Sequence, residues 1–184
     1  MTTPVPQPSS WIRRFTPLIP AGTQVLDVAC GSGRHMRWLA QQGYQPLGVD
    51  RNPDSLQLAA QWGDTVQADL EDGSPLPLPD RQFGGVVVTN YLWRALFPQL
   101  FASVQPGGVL LYETFADGNA SVGRPSSPEF LLQPGELLQQ LAKAGPGWRV
   151  IAYEDGFLGD PDRFVQRIAA VHEAASEQPV RYPL

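Results

Sequence analysis

Val25-Leu26-Asp27-Val28-Ala29-Cys30-Gly31-Ser32-Gly33 reads as a buried β-strand that runs into a glycine turn. Gly31 and Gly33 carry no Cβ, so the backbone there turns sharply and approaches a ligand closely. Beyond the turn, Met36, Leu39, Ala40 and Gly43 fall on one helical face. Strand, glycine turn and helix open a βαβ unit, and sheets built from such units bind ligands beyond the carboxyl ends of their strands.

Outward from this segment, short apolar runs alternate with helical patterns, with strands expected near 24–29, 46–50, 65–68, 84–90, 107–114, 148–154 and 163–171. Asn52-Pro53 supplies an N-cap and first-turn proline for a second helix that turns Leu56, Ala59 and Ala60 inward. A third helix covers 92–103, and a fourth starts near Pro134-Gly135-Glu136, buries Leu137, Leu138 and Leu141, and stops at Gly145. Only turn residues lie between Gly156 and Pro161, so the last two strands form a hairpin. The expected fold is α/β and Rossmann-like: a doubly wound, seven-stranded, mostly parallel sheet with one antiparallel strand.

The 184 residues, 42% of them hydrophobic, suit one domain over 21–175, with an arm at 1–20 and a tail at 176–184. Pro4, Pro6, Pro8, Pro17 and Pro20 keep the arm out of sheet and long helix, while Trp11, Ile12 and Phe15 are spaced for one short helix packed on the domain. Residues 116–132, rich in Gly, Ser, Pro and Asn, form an insert long enough to act as a lid. A formal charge of −5 without a cationic run argues against nucleic acid as partner. A lone cysteine, and no apolar stretch of ~20 residues or secretory h-region, point to a cytoplasmic protein without membrane contact.

Three strands end in an acid. Asp27 precedes the glycine turn, where its carboxylate would repel a pyrophosphate but suits a ligand carrying an ammonium and a sulfonium. The third glycine of a dinucleotide fingerprint falls at Met36, which disfavours NAD further. Asp50 closes Pro46-Leu47-Gly48-Val49-Asp50 at the distance where a carboxylate accepts ribose hydroxyls. Asp69 closes Val66-Gln67-Ala68-Asp69-Leu70 at the depth of an adenine amine, with Leu70 against the ring. Any one acid could be a solvated strand end; three at successive strand ends form a pattern.

These residues resemble the class I S-adenosylmethionine-dependent methyltransferases. Val25 to Arg34 is similar to their glycine-rich motif, Asp50 to their ribose acid, and Phe83 to Asn90 with Pro106-Gly107-Gly108 to their later motifs. Cys30 to His35 and Leu111-Tyr112-Glu113-Thr114-Phe115 resemble small bacterial methyltransferases of tellurite-resistance or general small-molecule type. The resemblance implies S-adenosyl-L-methionine as cofactor, no metal, and cofactor contacts at Asp27, Ala29, Cys30, Gly31, Gly33, Asp50, Arg51, Asp69, Leu70 and Asn90.

Methyl transfer is an in-line displacement that mainly demands alignment and exclusion of water. Thr89-Asn90-Tyr91-Leu92-Trp93-Arg94 stands where enzymes methylating exocyclic or amide nitrogens carry an Asn/Asp-Pro-Pro-aromatic motif, which is absent here. Tyr91 is a candidate to hold the acceptor, Glu113 a candidate base, and Arg124 in the insert a candidate for binding an acceptor's carboxylate or phosphate. Asn119 and Glu136 are further polar groups of the insert region. Arg94 could pair an anionic substrate or be solvated. His35 and Cys30 read as a hydrogen-bonding and a small pocket residue rather than as catalysts. The expected function is methylation of a small molecule such as a thiol, a chalcogen oxyanion or a carboxylate-bearing metabolite. A tRNA or protein methyltransferase, and a non-catalytic S-adenosylmethionine-binding protein, are the alternatives.

Overall fold

The computed structural model describes residues 6–176 and 180–183; Pro4 and the rest of 1–5, and parts of the expected tail, lie outside the described residues. Seven strands form one sheet: β1 (Gln24–Val28), β2 (Gln45–Asp50), β3 (Asp64–Gln67), β4 (Phe83–Thr89), β5 (Val104–Phe115), β6 (Trp148–Leu158) and β7 (Arg163–His172). They lie in the order β3-β2-β1-β4-β5-β7-β6. β7 runs antiparallel to both neighbours, and the remaining pairs are parallel. The strand order reverses between β1 and β4, so the carboxyl ends of those strands flank the crevice such sheets offer to ligands.

Five α-helices cover the faces: α1 (Ser10–Phe15), α2 (Arg34–Gln41), α3 (Pro53–Ala59), α4 (Phe97–Ala102) and α5 (Glu136–Lys143). Strand residues of one parity, among them Leu26, Val86, Val88, Leu110 and Tyr112, pack against α4 and α5. Those of the other parity, Val25, Val87, Val109 and Leu111, pack against Trp11, Ile12 and Phe15 of α1 and Leu39 of α2. This two-sided burial is why the strands read as apolar runs rather than alternating patterns.

Asn52 caps α3 as expected, its side chain accepting the Asp54 and Ser55 N–H groups. Several helical expectations are corrected. Ala40 is only half-buried, Gly43 and Ala60 are exposed, and Leu138 is exposed while Leu137 and Leu141 are buried. The reason is rotational: Leu137 and Leu141 lie four residues apart and share a face, whereas Leu138 lies 100° round the helix. The expected 92–103 helix is split into a 3-10 turn at Arg94–Leu96 and α4, with Pro98 in the first turn. The insert is ordered by contacts within itself and with β7: Ala116 bridges Leu132, Asn119 is buried with its side-chain Oδ1 accepting the Phe164 N–H, and 3-10 turns form at Asn119–Ser121 and Pro128–Phe130.

The described part of the arm, from residue 6 onward, is bound to the domain. Ser9 caps α1, Trp11 donates from its indole nitrogen to the Ile168 carbonyl at 3.2 Å, and the Arg167 guanidinium sits 4.7 Å over the Trp11 ring. Trp11→Ala should therefore cost about 3–5 kcal/mol of stability, read as a lowered urea midpoint with an unchanged m-value.

Candidate active site

A cavity of about 140 Å3 opens beyond the carboxyl ends of β1 to β4, lined by Ala29, Asp50, Arg51, Ala68, Asp69, Leu70, Glu71 and Tyr91. Five of the expected cofactor contacts, Ala29, Asp50, Arg51, Asp69 and Leu70, thus meet at one place. A second cavity of about 260 Å3 adjoins it, walled by Asn90, Leu92, Thr114, Phe115, Pro125 and Phe130 and sharing Glu71 and Tyr91 with the first. Tyr91 and Glu71 therefore stand at the junction of two chambers.

The first chamber is built by backbone geometry. Ala29 and Asn90 both take left-handed conformations, φ 53° in each case, where β1 and β4 end. Such conformations are uncommon outside glycine and mark functional turns. The Asp50 carboxylate accepts the Gly31 N–H at 2.8 Å and the Asn52 N–H at 2.9 Å, one on each oxygen. Each oxygen keeps a lone pair for a further donor such as a ribose hydroxyl. Asp69 is similarly anchored, accepting the Glu71 N–H at 3.0 Å.

The two loop glycines have different tasks. A Cβ on Gly31, whose φ is 53°, would meet open space, so nothing but ligand need occupy that side of the loop. A Cβ on Gly33 would sit 2.9 Å from the Ala59 Cβ, so Gly33 serves the close approach of α2 to α3. Cys30 is also a packing residue: buried, against Met36, Leu56 and Ala59, with its thiol pushed up by burial and by the charges of Asp27 and Asp50.

Asp27 lies beneath the loop and does not line the cavity. It is 1% exposed, and Oδ2 makes no hydrogen bond. Burial raises its carboxyl to about 7, with Asp50 adding to the rise while Arg34 and the Met36 N–H oppose it. A half-ionised buried acid under a ligand loop is stabilised by a cationic ligand, since the charge it lacks in the protein is supplied from above.

The acceptor candidates separate. Tyr91 lines both chambers; its hydroxyl is buried without a partner, and burial, then Glu71 and Asp69, push its pKa up, so it stays a neutral phenol. Glu113 is corrected as a base. Its side chain points to the α1 face, where Oε1 accepts the Ser9 hydroxyl at 3.0 Å and Oε2 pairs with Arg167 at 3.2 Å. Alternation along β5 puts Tyr112 and Thr114 on the face opposite Glu113. Arg124 is exposed, lines neither chamber and makes no ion pair among the described residues. Arg94 is not free for substrate: it forks onto Glu136 at 2.7 and 2.9 Å and donates to the Glu129 and Leu131 carbonyls. Burial alone would raise the Glu136 carboxyl, but Arg94 and the Gln133 N–H outweigh it and hold it low. His35 is buried with its pKa lowered to about 3, first by desolvation and then by Arg34; its Nε2 accepts the Ser9 N–H.

Sequence reasoning missed Glu71, Thr114, Phe115, Pro125 and Phe130. Glu71 was detectable, two residues past an acid that turns the chain. Phe130 was not, because only the folded insert brings it to the chamber.

A family model described as a methyltransferase domain matches residues 25–108. The malonyl-[acyl-carrier protein] O-methyltransferase of Serratia marcescens is 32% identical over 106 residues, 53% of this chain and 40% of that protein. The ribosomal protein L11 methyltransferase of Burkholderia vietnamiensis is 34% identical over 91 residues, 47% of this chain and 30% of that protein. Thus the chain spans less than half the length of these curated relatives. Among solved structures, TehB from Haemophilus influenzae superposes with a TM-score of 0.67 at 19% identity, over 88% of this chain and 61% of that one.

Residues 25–108 are thus similar to a methyltransferase domain, and the sheet as a whole shares the fold of TehB. The chamber suits S-adenosyl-L-methionine: an open cradle at Gly31 and two anchored carboxylates, with the buried Asp27 beneath the loop.

Because the cationic cofactor favours ionised Asp27, binding should release a proton below pH 7. Affinity should rise with pH up to about 7 and level off above it. Calorimetry across pH checks this, and Asp27→Asn should flatten the dependence.

Proposed function

We propose that this chain transfers the methyl group of S-adenosyl-L-methionine to a small-molecule acceptor held in the chamber beyond Tyr91. The observation that carries this reading is the chamber itself. Its volume of about 260 Å3 suits a compact molecule, and it meets the cofactor cavity at Tyr91 and Glu71. The cofactor supplies an activated methyl on sulfur; the chain has to hold the acceptor in line and keep water away. Leu92, Phe115, Pro125 and Phe130 make most of the wall apolar, which excludes water and leaves orientation to Asn90, Tyr91 and Thr114. We place the reaction in the cytoplasm, an assignment that rests on the sequence alone.

Protein or tRNA methylation is the rival reading, since the relatives include a ribosomal protein L11 methyltransferase and an acyl-carrier-protein methyltransferase. The insert disfavours it by supplying Pro125 and Phe130 to the chamber wall, and it is pinned through Arg94 to α5. Release of S-adenosylhomocysteine decides between them, measured against small amines, thiols and carboxylates beside bulk tRNA and ribosomal protein. Turnover only with the macromolecules would overturn the small-molecule reading, and cofactor binding without any turnover would favour a non-catalytic role.

Arg94→Ala should free the insert without touching the cofactor cavity. The acceptor KM should rise about tenfold, while S-adenosylhomocysteine affinity stays within about twofold. Steady-state kinetics and calorimetry on the same preparation check both.

A further inference from the structure

The charge inside the acceptor chamber restricts what it can admit. Glu71 is the one charged side chain among the described residues that line it; the other polar walls are Asn90, Tyr91 and Thr114. Among the described residues no cation lines this chamber. Arg94 is forked onto Glu136, Arg124 is exposed outside the lining, and Arg51 lines the cofactor cavity only.

A methyl transfer has two electrostatic forms. With an anionic nucleophile, the sulfonium charge and the nucleophile's charge cancel, and the ground-state anion needs a cation or several donors to bring it out of water. With a neutral nucleophile, one positive charge survives the reaction and moves from sulfur to the accepting atom. A carboxylate beside that path stabilises the cation throughout, whereas it would repel an anionic acceptor at contact distance. Glu71 bounds both chambers, so it stands beside both ends of the path.

We infer that the acceptor atom is an uncharged amine nitrogen carried on a flat apolar body. This rests on the methyl-transfer reading above and deepens it. The nitrogen arrives as the free base, having left its proton in solvent, and its lone pair forms the N–C bond as the C–S bond breaks. The C–S electron pair stays on sulfur, which becomes a neutral thioether, and the product is a methylammonium that keeps all its N–H protons. No base is needed at the moment of transfer. Glu71 faces the new cation, the Tyr91 phenol and the Thr114 hydroxyl offer oxygens to its N–H groups, and Phe115 and Phe130 flank the body. An alcohol would need its proton removed in the same step, and a carboxylate or thiolate would meet Glu71 as a like charge.

The test uses acceptors sharing one phenyl body: benzylamine, benzoate, benzyl mercaptan and benzyl alcohol. Each is titrated into the full chain saturated with S-adenosylhomocysteine, and each is then assayed with S-adenosylmethionine for S-adenosylhomocysteine release. Benzylamine should bind at least tenfold tighter than benzoate and support the fastest release. Glu71→Gln should lower kcat/KM for benzylamine tenfold or more and narrow the gap between amine and carboxylate, both measured at saturating S-adenosylmethionine. Benzoate binding as tightly as benzylamine, or faster methylation of the thiol, alcohol or carboxylate, would overturn the amine assignment and leave the methyltransferase reading intact. A chain that binds neither S-adenosylmethionine nor S-adenosylhomocysteine would overturn both.

Discussion

The hydrogen bond from the Gly31 N–H to the Asp50 carboxylate, 2.8 Å long, ties the loop after β1 to the end of β2. Much of the site hangs from this link. It fixes the loop in the left-handed turn that Ala29 and Gly31 adopt, and it holds Asp50 at the cavity wall with lone pairs to spare. Removing the carboxylate would leave a backbone donor without its partner and release the strand ends from one another. The cofactor chamber is therefore assembled from backbone groups clamped by an acid, rather than from a set of independently mobile side chains.

Most of the fold was legible because its signals are local. Each strand of the parallel sheet is buried on both faces and announces itself as an apolar run, and Asn52-Pro53 marks a helix start by chemistry that operates over three residues. The acids of the first chamber were legible for the same reason: Asp50 is the last residue of β2, and Asp69 stands two residues past β3. Glu113 and Arg94 were misjudged because their partners are remote. Glu113 meets Ser9 and Arg167, 104 and 54 residues away in sequence, and Arg94 meets Glu136, 42 away. No spacing rule reaches that far. The parity of β5 did contain a hint, since it sets Glu113 on the face opposite Tyr112.

The acids divide by environment into distinct tasks. Asp50 and Asp69 hold backbone turns, Glu113 and Glu136 neutralise arginines, and Asp27 is stranded in the interior with a raised pKa. Among the described residues, Glu71 is the one acid that lines the second chamber. An acidic composition that looks uniform in sequence thus resolves into structural carboxylates and a small functional minority. The distinction lies in which backbone donors and guanidinium groups each one meets.

The arm has a practical side. Ser9 bonds His35 and Glu113, and ahead of it Gln7 and Pro8 lie beside Arg37, Trp38 and Gln41 of α2, none of which lines either chamber. β7 ends with His172, which stacks on Trp148 and contacts the Val104 carbonyl at the start of β5. An affinity handle or reporter fused after β7 leaves the reaction chambers clear.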